Sequence, residues 1–230
     1  MNNWLKNNMT VISVAVFIAF WWFLLGSVEL AIALGVLIFV HEMGHFIAAR
    51  HRGLAVYPPV FTPFGAAVAH SQPPSAECEA FVSYAGPLFG AAASVAALVL
   101  GLVLNVPMLF MAAKYGFFLN LINLIPMKPL DGGGISMGIH RYMWVPGVLM
   151  FFWLFTAIGN SMFNMIILVL ILMGFFQDME YRKTLPASYF NVPFAARIGY
   201  GVAYIALGAF LFWAFTQPQA LVSLLVGVGI

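Results

Sequence analysis

Two histidines and a glutamate, in the run His41-Glu42-Met43-Gly44-His45, have the types and spacing of a metal site. On a helix, positions 41 and 45 lie one turn apart on one side. Their imidazoles can then share one Zn2+, and the glutamate next to the first can activate a metal-bound water. That is hydrolytic chemistry. The flanks are unusual for it: 31–40 before the motif and 46–49 after it carry no charge. The expected site is therefore buried below a membrane surface.

A catalytic zinc takes three protein ligands and keeps one position open. The third must be a carboxylate, histidine or cysteine that reaches the same depth. Asp131 is the strongest candidate. It lies in NLIPMKPLDGGG, residues 123–134. Pro126 and Pro129 must break a helix there, and Gly132–Gly134 are expected to let the backbone turn freely afterwards. His51, His70, Glu77, Glu79 and His140 are weaker rivals in polar or basic surroundings, His70 the foremost of them. A polar cluster held only by hydrogen bonds fits poorly, because each ionisable group inside a bilayer costs roughly 2.5–3.5 kcal/mol on insertion scales. Asn120 and Asn123 share one helix face three residues apart. Both suit hydrogen bonding between helices, and Asn123 is close enough to the broken segment to contact substrate.

The elements that must position these residues are membrane helices. The 230-residue chain is 63% hydrophobic and 7% charged, whereas soluble domains are about one quarter charged. The reading is one polytopic membrane domain over residues 1–230, with a catalytic core at 28–134 and C-terminal helices at 142–230. A net charge of +2 gives no reason to expect nucleic acid, and the single cysteine, Cys78, excludes an internal disulfide or a cysteine cluster. The apolar run 9–25 is long for a signal peptide and lacks its cleavage pattern, so it is expected to stay as a first span.

Further spans are predicted at 28–49, 80–104 and 108–125. Residues 142–177 carry no charge. As one helix they would measure roughly 54 Å against a core of about 30 Å. Gly159-Asn160-Ser161 is the natural break, giving short helices at 145–158 and 162–176. A seventh span is predicted at 198–215, and the tail 220–230 is too short to cross. With the N-terminus cytoplasmic, this count puts Arg50, Arg52, Lys128, Arg141, Arg182, Lys183 and Arg197 on the cytoplasmic side, as the positive-inside rule prefers. The fold class is thus all-α, six core transmembrane helices plus a seventh, with one exception. Leu54–His70 carries Pro58, Pro59, Pro63 and Gly65. It cannot be helical and is too apolar for a solvated loop. A small β-hairpin re-entering the membrane fits it, with Thr62-Pro63-Phe64-Gly65 as the turn; an interfacial loop lying on the membrane surface is the alternative.

HEMGH (41–45) and NLIPMKPLDGG (123–133) together resemble the site-2 protease family of intramembrane metalloproteases. FTPFGAAV (61–68) is similar to that family's re-entrant sheet, and AGPLFG (85–90) to its A-G-P helix. The resemblance covers about Val28 to Gly134. It implies His41, His45 and Asp131 as ligands of one Zn2+, Glu42 as catalytic acid/base, and Asn123 at the substrate or oxyanion. It also implies that 54–70 presents an edge strand to an unwound substrate helix. Gly90 stands where an asparagine commonly ends the A-G-P motif, so a polar helix contact is expected to be missing. No PDZ-like insertion or nucleotide-sensing domain is recognised, so a regulatory membrane partner is expected to gate entry.

The expected activity is zinc-dependent hydrolysis of a peptide bond in or near the membrane span of a single-span substrate protein. The expected setting is a lipid bilayer, most simply a prokaryotic cytoplasmic membrane, with the active site towards the cytoplasm. A catalytically silent binding module and a metal transporter are the alternatives. The intact Glu42 speaks against the first, and the lack of relayed acidic or histidine sites against the second.

Overall fold

A computed structural model of the chain describes residues 3–62, 65–158 and 162–226. These are mostly helical. The elements are α1 (Asn3–Leu25), α2 (Val28–His51), β1 (Val60–Thr62), β2 (Gly65–Ala67), α3 (Ala76–Leu104), α4 (Pro107–Asn123), α5 (Asp131–Ile139), α6 (Trp144–Ile158), α7 (Met162–Thr184), a 3-10 turn (Ala187–Phe190), α8 (Phe194–Thr216) and α9 (Pro218–Val226). Among the described residues, α2, α3 and α8 are long and apolar enough to cross a membrane. Apolar stretches at Met9–Leu25 and Trp144–Leu154 are shorter. The predicted helix break at 159–161 and Pro63-Phe64 of the predicted turn lie outside the described residues; α6 is described up to Ile158 and α7 from Met162. The described chain forms two compact units interleaved in sequence.

The first unit comprises residues 1–71, 85–121 and 209–230. Gly26, at φ +70°, turns the chain between α1 and α2, a backbone region that side chains disfavour. Ser27 then caps α2, its Oγ accepting from the Leu30 N–H at 3.1 Å, and Glu29 stands in the first turn, where the helix dipole favours an acid. The irregular segment forms an antiparallel hairpin, with Val60 opposite Ala67 and Thr62 opposite Gly65. A further bridge pairs Val56 with His70. Helix α1 holds this hairpin: the Phe61 N–H donates to Ser13 Oγ at 3.0 Å and Thr10 Oγ1 donates to the Pro59 carbonyl at 3.0 Å. The fully buried Phe17 packs edge-on against Phe61, ring centroids 5.5 Å apart.

The second unit comprises residues 72–84 and 122–208. Its centre is the non-helical run 124–130. Four helices crowd it through glycines and one tyrosine. A Cβ on Gly132 of α5 would lie 2.2 Å from the Leu124 carbonyl oxygen, one on Gly147 of α6 would lie 2.4 Å from that of Pro126, and one on Gly174 of α7 would lie 3.0 Å from the Pro129 ring. Tyr204 of α8 donates to the Leu124 carbonyl. Ile125 and Met127 pack with Phe151 and Phe175 below.

One expectation is corrected here. Gly132–Gly134 do not form a free turn; they lie buried inside α5. Their missing side chains are needed for close packing. A Cβ on Gly133 would meet the Lys128 nitrogen at 2.3 Å, and one on Gly134 would meet Ser83 Oγ of α3 at 2.0 Å. Each glycine lowers helix propensity by about 1 kcal/mol, and packing overrides that preference. The unwound part is 124–130 alone, with Asp131 as the first helical residue.

A polar network closes this unit. The buried Glu79 pairs with Lys128 at 2.9 Å and accepts from the Tyr189 hydroxyl at 2.5 Å. Burial, with the nearby Glu79 charge, raises the Tyr189 phenol above its usual range, so it stays a donor. Arg197 donates to the carbonyls of Val192 and Phe190, each at 3.0 Å.

Candidate metal centre

Helix α2 runs without a break through the motif. Its buried residues include Leu30, Leu34, Leu37, His41, Gly44 and Ala48, a steady three-and-four spacing that marks one face. His41 therefore lies on the same stripe as the leucines before it. The stripe that packs the helix also turns His41 inward. His41 is 7% exposed and Glu42 6%; His45 is half-buried.

The two Nε2 atoms stand 3.1 Å apart. Two nitrogens bound to one tetrahedral zinc at about 2.0–2.1 Å would be separated by about 3.3 Å, so the spacing of the pair is compatible with a shared ion. Ligand atoms of His41, Glu42 and His45 all lie within 4.8 Å of one another. Two imidazoles suit a borderline ion such as zinc.

Helix α3 makes room for this face. A Cβ on Gly44 would lie 2.4 Å from the Ala85 carbonyl oxygen, so α2 and α3 meet backbone to backbone. One on Gly86 would lie 2.1 Å from His45 Nε2 and 2.8 Å from His41 Nε2. The glycine of Ala85-Gly86-Pro87 thus lets α3 pack close against the histidine nitrogens without a side chain striking them. Helix α4 supplies a polar partner: Asn120, 4% exposed, places Oδ1 2.8 Å from His41 Nδ1. At Gly90, where a polar helix contact was expected to be missing, a Cβ would lie 2.1 Å from Asn120 Oδ1, so the amide packs directly against the glycine.

Sequence reasoning credited Asn120 only with joining helices. Its signal was a carboxamide in an apolar helix; its partner, 79 residues away, could not be read from spacing. The other predicted residues belong to the second unit. Asn123 ends α4 half-buried, and Asp131 opens α5 half-buried, where the N-terminal helix dipole favours its carboxylate. Among the rivals, Glu79 is engaged by Lys128 and Tyr189. His70 is tied to the hairpin end, its Nδ1 2.8 Å from the Ser71 carbonyl. His51 and His140 are exposed.

An apolar helical chain carrying a His-Glu-His group that could hold a metal ion is what a membrane metallopeptidase would need. The model of peptidase family M50 matches residues 29–107. That span holds the H-E-x-x-H helix, the hairpin and the Ala85-Gly86-Pro87 helix, so the site-2 protease resemblance drawn from the motifs is met there. The 123–133 motif lies beyond the match. No curated protein matches the chain.

Proposed function

We propose that this chain is an intramembrane zinc endopeptidase of the site-2 type, cutting a peptide bond in or near the span of a single-span membrane protein. The observation that carries this reading is the histidine pair of α2, Nε2 atoms 3.1 Å apart, with Glu42 in the same group. His41, His45 and Asp131 would hold one zinc ion, and Asn123 would contact the substrate. When bound, zinc polarises the scissile carbonyl and acidifies a water molecule. Glu42 accepts the proton from that water and delivers it to the leaving amine nitrogen. Its burial keeps bulk water from competing for the transfer. Hairpin 54–70 re-enters the membrane and offers backbone hydrogen bonds to a substrate helix that has unwound locally.

In this reading α1, α2, α3, α4, α6, α7 and α8 span the bilayer. Large apolar side chains facing outwards support it on helices that are themselves short of a full span, including Phe23 at 86% exposed and Trp153 at 72%; soluble surfaces rarely gather such groups. The basic residues place the N-terminus and the site towards the cytoplasmic side of a prokaryotic cell membrane. A separate membrane partner regulates entry.

The test is Glu42→Gln with a co-expressed single-span reporter. The variant is expected to retain zinc and lose cleavage by about 10²–10⁴-fold. Unchanged processing contradicts the protease reading.

A further inference from the structure

Asn120 is fixed on both sides. Its Nδ2 donates to the Gly116 carbonyl at 2.7 Å, and a carbonyl can only accept. That settles the amide orientation, so the atom 2.8 Å from His41 Nδ1 is the oxygen Oδ1. An oxygen acceptor there requires a proton on Nδ1, which leaves the Nε2 lone pair of His41 facing His45. The space for this amide is built by small residues on two helices. A Cβ on Gly90 would lie 2.1 Å from Oδ1 and 2.6 Å from Nδ2, and one on Gly116 would lie 2.3 Å from Ser94 Oγ. Gly90 and Ser94 are four apart on α3, Gly116 and Asn120 four apart on α4, so the helices interlock along matched small positions. Ser94 is fully buried and donates to the Gly90 carbonyl at 2.8 Å.

We infer that Asn120 is a positioning residue for His41, holding it as the Nδ1–H tautomer with Nε2 ready to bind metal, and that Gly90 provides the space this requires. The inference rests on the proposed zinc reading for its purpose, but its geometry is independent of it. Partners of this kind usually change metal affinity by about 10–100-fold when removed.

The test uses the full-length protein in detergent, with zinc affinity measured by chelator competition and the His41 tautomer by 15N NMR on the metal-free form. Asn120→Leu is expected to weaken zinc by about 10–100-fold and to replace the single Nδ1–H form with a mixture. Gly90→Ala, which reaches the same amide from α3, should move both readouts in the same direction. Asn120→Asp keeps an acceptor but gives up the donor to Gly116, so it should keep tautomer and zinc while losing thermal stability; this separates positioning from packing. An Asn120→Leu protein that folds, binds zinc within about twofold of wild type and keeps the Nδ1–H form overturns the inference while leaving the zinc reading intact. A wild-type protein that binds no zinc, yet shows an Nδ1–H tautomer lost in Asn120→Leu, overturns the zinc reading and supports the positioning role. Should Asn120→Leu fail to fold, Gly90→Ala and Asn120→Asp decide: wild-type tautomer and affinity in the first, or a lost tautomer in the second, overturns it.

Discussion

His41 and Asp131 come from opposite kinds of backbone. The histidine lies mid-way along an unbroken helix of 24 residues, on the stripe that packs that helix. The aspartate follows seven non-helical residues and opens a helix of nine. In the first region the backbone is regular and the precision comes from side-chain packing: Asn120 against His41, and the histidine rings against Gly86. In the second the precision comes from backbone crowding, with side-chain-free glycines of three helices packed close against 124–130. A regular helix places two ligands by spacing alone. A lone carboxylate needs a scaffold around its own loop.

The largest expected effect is on the histidine side. Gly86→Ala would put a methyl group 2.1 Å from His45 Nε2. It should lower reporter cleavage by about 10²-fold, as displacements near 1 Å at a reacting centre do, with little change in thermal stability; normal cleavage would show that the face of α3 over the histidines is not needed. Gly132→Ala should behave in the reverse way. Its Cβ would meet backbone rather than a flexible chain end, so a stability loss of about 1–3 kcal/mol is expected in thermal unfolding, and an unchanged midpoint would contradict the crowding account. Tyr189→Phe removes a hydrogen bond to the buried Glu79 carboxylate and should cost about 1.5–3 kcal/mol, without altering zinc content. Ser27→Ala removes the α2 cap, worth about 1 kcal/mol; a loss of cleavage larger than the loss of stability would tie the cap to the site itself.

Much of the histidine side was legible in the sequence. Two histidines four apart and an uncharged run around them are local signals, and α2 starts at the predicted residue. The hairpin was legible too, since prolines forbade a helix and the apolar composition forbade a solvated loop; how deep it lies is part of the proposed function. The second region was half legible. Pro126 and Pro129 marked the break, but three successive glycines looked like a free turn because their propensity is local while the close approaches that make them helical are tertiary. Asn120 was visible only as a polar residue in an apolar helix, because its role depends on His41 and on the space at Gly90, both distant in sequence.

The most direct test of the account is zinc per chain in the purified full-length protein, with wild type, Glu42→Gln and Asp131→Ala compared by elemental analysis. One zinc in the wild type and in Glu42→Gln, with stoichiometric zinc lost in Asp131→Ala, is the predicted result. A wild type without zinc, or zinc fully retained after Asp131→Ala, would contradict it.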